Sequence, residues 1–241
     1  MASVSRMTKR YLLDFAFRLS LFLIIATVYV LCPQLLDFTI DQDSGKILRS
    51  FLWLSVIISM LAQLCPKSNL TTGCLKQFPH RFDPVPDYDP HELKHIVRFQ
   101  NRGACKVAAV WLTVNLTLGT LYHAGKIRVE TLVLFCAFCF LSDLICVLFF
   151  CPFQTFLMKN RCCVNCRIFA WGSWMMAAPL MLIPHWYSQS LFWTSVLVLA
   201  VWETRFLRYP ERFWFGSNRH LQCSHCKEQL CRYKYPRPNK L

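Results

Sequence analysis

Apolar runs recur along the whole chain, and the segments between them differ sharply in charge. A hydrocarbon core takes about 20 apolar residues per helix, and a spanning helix satisfies its own backbone polar groups there. Runs at about 15–36, 47–65, 106–123, 131–151, 168–184 and 189–208 suit such crossings. If each crosses, Lys and Arg divide 23 to 4, with only Lys46, Arg49, Lys126 and Arg128 opposite the rest. Cytoplasmic loops retain basic residues in this way. The sequence therefore predicts an all-α integral membrane protein of about six transmembrane helices with both termini cytosolic. A plasma (inner) membrane location is expected.

The organisation that follows is a polytopic domain over 1–208, a cytosolic loop over 66–105, and a basic cysteine-containing cytosolic tail over 209–241. Only 17% of residues are charged, against about 25% in soluble domains. The net charge of +14 fits retention in the cytosol and attraction to anionic headgroups. No recognised nucleic-acid motif accompanies it, so no nucleic-acid partner is expected. Asp14 and Arg18 interrupt the first apolar run and Cys32-Pro33-Gln34 is a poor cleavage site, so that run reads as a retained helix.

Local signals refine this picture. Short outer loops are expected at 37–46, 124–130 and 185–188. Tyr11, Tyr29, Tyr122, Trp171, Trp186, Tyr187 and Trp202 are expected in an interfacial belt. Pro179 predicts a kink in the fifth span. Asp89, Pro90 and Glu92 suit the N-cap, first and third positions of a short helix that should end near Gly103.

Cysteines supply the candidate chemistry. Cys163 with Cys166, and Cys223 with Cys226, are CxxC pairs of the kind that share a tetrahedral metal between two segments. Cys162 and Cys231 are alternative ligands, and Cys151 is a further one. In the reducing cytosol thiols more often hold metal than form disulfides. Zinc and an iron–sulfur cluster both fit, because no complete ferredoxin spacing is present. Cys136 and Cys139 form another CxxC inside the fourth run, where packing explains them.

His91-Glu92-Leu93-Lys94-His95 resembles the HExxH motif of zinc metalloproteases over those five residues. The resemblance implies zinc on His91 and His95, with Glu92 as general base. No third ligand is evident, Glu203 being on the expected side but in no motif. Asp143 and Asn115 lie at similar depths in the fourth and third runs, so a hydrogen-bonded clasp between them is expected. An ionisable residue there is otherwise a transport candidate.

Three functions follow. The first is a membrane protein whose cysteine-bound metal carries electrons or docks a soluble cytosolic partner. The second is a membrane-bound zinc metalloprotease, and the third a small transporter using Asp143.

Overall fold

The computed structural model describes residues 6–37, 46–65, 76–160, 162–226 and 230–234. Cys74, most of the first outer loop and parts of the tail lie outside them. Among the described residues the chain is all-α, with no strand. The helices are α1 (Arg6–Leu31), α2 (Lys46–Ala62), α3 (Pro90–His123), α4 (Val129–Leu148), α5 (Gly172–Ala177), α6 (Trp186–Arg208) and α7 (Leu230–Lys234). By length and composition, α1, α3, α4 and α6 can each cross a bilayer. Two shorter apolar segments, Ser50–Ala62 and Phe169–Leu182, accompany them.

Large apolar side chains stand outward along the long helices, among them Leu13, Phe17, Ile24, Leu112, Leu116 and Trp193. Interspersed hydroxyls are satisfied on their own helix: Thr27 donates to the Leu23 carbonyl at 2.8 Å and Thr113 to that of Ala109 at 2.9 Å. Such back-bonding lets a polar side chain face hydrocarbon without an unmet hydrogen bond.

Helix directions follow from side-chain pairs. Phe15 meets Phe149, Phe22 meets Phe138, and Tyr29 hydrogen-bonds Thr131, so α1 and α4 run antiparallel. Ser50 meets Tyr187 and Trp53 donates to Ser190 at 2.8 Å, while Met60 and Val198 share one core cluster farther along. The α2 and α6 helices are therefore parallel.

The Asp89 cap is present: its carboxylate accepts from the His91 N–H at 2.7 Å, with Pro90 opening the helix. That helix does not stop near Gly103 but continues to His123. Gly103 serves close packing instead, since a Cβ there would lie 2.8 Å from Met158 Sδ and 3.2 Å from the Leu157 carbonyl. The end comes at Gly125, whose φ is +67°. There Lys126 N–H bonds Leu121 O and Gly125 N–H bonds Tyr122 O, the paired bonds of a Schellman cap. At Pro179, α5 gives way to a 3₁₀ turn over Ala178–Leu182, as a residue without an N–H requires.

The expected aromatic belt is only partial. Trp186 is exposed, whereas Tyr11, Trp171 and Trp202 are buried in core clusters. The described part of the tail is folded, not loose. Val85 N–H bonds Ser217 O, Arg219 N–H bonds Asp83 O, and the fully buried Asn218 donates to Arg212 O at 3.0 Å.

Candidate functional site

Inside the helical bundle, Arg18 organises a polar cluster. Its guanidinium donates to Asp143 Oδ2 at 3.1 Å, to the Phe140 carbonyl at 2.8 Å and to Asp14 Oδ2 at 3.3 Å. It also lies 4.0 Å from the centre of the Phe140 ring, a cation–π contact. The antiparallel α1/α4 register brings these residues together. Gly172 opens α5 directly beside Asp143, where a Cβ would come 2.6 Å from its carboxylate oxygen. One cation thus faces two carboxylates, an unbalanced set when all are ionised.

The expected clasp is absent. Asn115 donates back to the Trp111 carbonyl at 2.8 Å, and its own Oδ1 is buried without a partner. Matching depth put Asn115 and Asp143 at one level, but Asp143 turns toward α1.

Beside Arg18 is a cavity of about 190 Å³ between the α1/α4 pair and the α2/α6 pair. Arg18 and Phe140 stand at one end, Tyr187 and Ser188 at the other, and apolar side chains such as Ile25, Val56 and Met176 line the middle. Arg18 Nε is buried and has no hydrogen-bond acceptor.

At the far end of α4 the cysteines are arranged differently from the expectation. Asn165 donates to the Leu221 carbonyl at 3.5 Å, so the tail lies beside the 160s loop. Cys163 and Cys166 point into the protein, while Cys223 is exposed and Cys226 half-buried. Cys163 faces the Val147 carbonyl and Gln154, and Cys166 belongs to a core cluster. Burial pushes the Cys163 thiol up, and that of Cys166 to about 12. Burial likewise raises Cys162, and Cys231 is exposed on α7. Lys76 binds the Val164 and Cys166 carbonyls from within. Among the described residues, no three His, Cys, Asp or Glu side chains are gathered to hold a metal ion.

His91, Glu92 and His95 are exposed on the first turns of α3. Glu203 is engaged elsewhere, accepting from both terminal nitrogens of Arg167 and from Trp171 Nε1 at 2.8 Å. No acidic third ligand joins the two histidines among the described residues.

The chain matches no family model, no curated protein and no solved structure.

Two groupings escaped the sequence reading. Arg18 and Asp143 are both ionisable residues inside apolar runs, each a few turns from the same expected side. That shared depth was the available signal. The second lies around Cys151, which falls beyond the end of α4. Gln154 N–H donates to its sulfur at 3.4 Å. Lys234 Nζ reaches the Cys146 carbonyl at 2.8 Å, Gln154 Oε1 at 3.1 Å and Cys163 Sγ at 3.8 Å. The proximity of Cys151 and Lys234, 83 residues apart, has no local sequence mark.

Proposed function

We propose that this is a six-span membrane protein of the transporter class, with both termini cytosolic, that takes a single-chain lipid-like ligand into the cavity beside Arg18. Helix direction supports the span count. If only the four long helices crossed, α1 and α4 would run parallel; their antiparallel register calls for α2 to cross as well. The parallel pairing of α2 with α6 then calls for the 169–182 segment to cross. The 23-to-4 division of basic residues supports the cytosolic side. Maleimide applied outside intact cells should label Lys126→Cys and spare Cys223, and the reverse result would overturn the orientation.

The cavity itself carries the ligand reading. Its volume is below the roughly 300–1,000 Å³ of sites for drug-sized molecules, which suits a segment of one alkyl chain. An acceptor at the chain's end can take the Arg18 N–H that has no partner. Because two carboxylates already face Arg18, a neutral carbonyl or ester suits this end better than a third anion. Asp143 then positions Arg18 and does not touch the cargo.

A diazirine-bearing fatty-acid methyl ester tests this in bilayer nanodiscs. Label should fall on α1 near Phe22 and Ile25 and on α4 near Cys136. Ala137→Phe, which fills the cavity wall, should remove that label at an unchanged melting temperature. Label confined to outward residues such as Leu13 and Leu116 would overturn the proposal.

A further inference from the structure

We propose that the cytosolic end of α3 presents a basic face that docks an acidic helical segment of a soluble partner. The proposal rests on α3 crossing the bilayer with its first turns on the cytosolic side, and it is independent of the ligand cavity. A crossing takes about 20 residues, and α3 has 34. About 14 residues, or about 21 Å of helix, therefore stand beyond the hydrocarbon. The apolar stretch over 108–121 suits the bilayer, so the projecting part is the one that begins at Pro90.

At about 100° per residue, Lys94, Arg98, Arg102 and Lys106 fall within about 120° of the helix circumference, with His91 and His95 between them. All six side chains are exposed. Leu93, Ala104, Val107 and Trp111 lie on the opposite side and are buried. Ala104 and Val107 share a core cluster with Met158, Phe206 and Phe213, so the helix cannot roll its basic side inward. Charge of one sign sets this face apart from an ordinary solvated one. Glu92 is the only acidic residue of α3, and it stands about 40° outside the arc. Among the described residues no carboxylate pairs with Lys94, Arg98, Arg102 or Lys106. Like charges four residues apart destabilise a helix. Retention in the cytosol asks for basic residues near a span but tolerates Asp and Glu among them. Topology alone therefore does not keep acidic neighbours off one face.

The occupant follows from spacing, reach and charge. The four cations repeat at about 6 Å along the axis, as do carboxylates at every fourth position of a second helix. Lipid headgroups meet only the near end of this row. Lys94 lies about 18 Å beyond Lys106, whereas the polar region of a bilayer adds about 5–8 Å on each side. A second copy of this chain also carries a net charge of +14 and is repelled. An acidic helix laid along α3 can pair with the whole row.

The test titrates the full chain in phosphatidylcholine nanodiscs with a fluorescent alanine-based helix bearing Glu at every fourth residue. A scrambled peptide of the same composition is the comparison, and anisotropy at low salt is the readout. The striped peptide should bind, and more tightly than the scrambled one. Arg98→Gln with Arg102→Gln should weaken it about three- to tenfold, since exposed pairs contribute little each. Both side chains are exposed, so the melting temperature should hold. Lys9→Gln with Arg208→Gln removes the same charge from exposed positions elsewhere and should leave binding intact. No binding, equal binding of the two peptides, or equal loss in the two double variants overturns the proposal. In phosphatidylglycerol nanodiscs, lysine acetylation should be slowed at Lys106 and not at Lys94. Equal protection of both would make this face a lipid contact, and a DNA duplex that binds it more tightly than the striped peptide would make it a nucleic-acid contact. Either result would overturn the acidic helix.

Discussion

Two arginines of this protein hold carboxylates at helix contacts, and they hold them differently. Arg167 meets Glu203 one to one, with both terminal nitrogens on the two carboxylate oxygens. Trp171 adds a third hydrogen bond, and the Phe206 ring lies 3.7 Å from the guanidinium carbon. Arg18 meets two carboxylates through single contacts, and a backbone carbonyl completes its set. Both leave Nε without an acceptor, yet only Arg18 borders the cavity. The first arrangement is balanced and closed, which suits holding α6 against the 160s loop. The second is unbalanced and open on one side, which suits an encounter with something else. Burial alone does not separate a structural ion pair from a functional one. Charge balance and access are what differ between these two.

The largest effect should come from breaking the closed pair. Arg167→Met leaves the partly exposed Glu203 with Trp171 as its remaining donor, and breaking a buried pair costs up to about 3–5 kcal/mol. Unfolding in detergent should show that loss, and Arg167→Met with Glu203→Leu should recover much of it. A single variant as stable as wild type would erase the contrast between the two clusters.

Gly172→Ala attacks the open cluster from outside. The added methyl would crowd the Asp143 carboxylate, which cannot rotate away without leaving Arg18. Overpacking of this kind costs about 1–3 kcal/mol. Detergent unfolding should register it, and the loss should shrink when Gly172→Ala is combined with Asp143→Ala. Full additivity would mean that Gly172 and Asp143 are not coupled.

What could be read in advance follows the range of the interaction. The Asp89 cap and the Pro179 break depend on neighbours within four residues, and both appear as the local chemistry requires. Gly103 misled, because a glycine can end a helix or admit a neighbour, and Met158 lies 55 positions away. The long apolar helices were legible from hydropathy. The partner of Asp143 was not, since apolar runs report depth and not the direction in which a side chain points. CxxC spacing suggested that two cysteine segments share a metal, but spacing does not orient thiols. Core packing turned Cys163 and Cys166 inward while Cys223 faces out. Trp171 and Trp202, suited by type to an interfacial belt, were drawn into the core by partners distant in sequence.

Asp143→Asn should have a smaller effect. Asparagine can still accept from Arg18, so only the charge is lost, and interhelical polar contacts of this kind are worth about 0.6–1.7 kcal/mol. Labelling by the ester probe should survive if, as proposed, Arg18 and not Asp143 meets the ligand. A stable variant that no longer takes the probe would place Asp143 itself in contact with the cargo and return it to the transport role that its position in an apolar run suggests.

The smallest effect on stability, and the sharpest on the comparison, belongs to Asp14→Asn. Asp14 sits one turn before Arg18 on α1 at 3.3 Å, with its side chain nearly half exposed. Pairs at this spacing contribute about 0.3–0.5 kcal/mol, so melting in detergent should hardly move. The charge, however, changes from one cation with two anions to one with one, the balance that Arg167 and Glu203 already have. If surplus negative charge selects a neutral end group, this variant should accept the free fatty-acid probe better relative to its methyl ester. Photolabelling of the two probes in parallel reads that ratio directly. An unchanged ratio would mean that charge balance around Arg18 does not choose the ligand, and the distinction between the open and closed clusters would then rest on access alone.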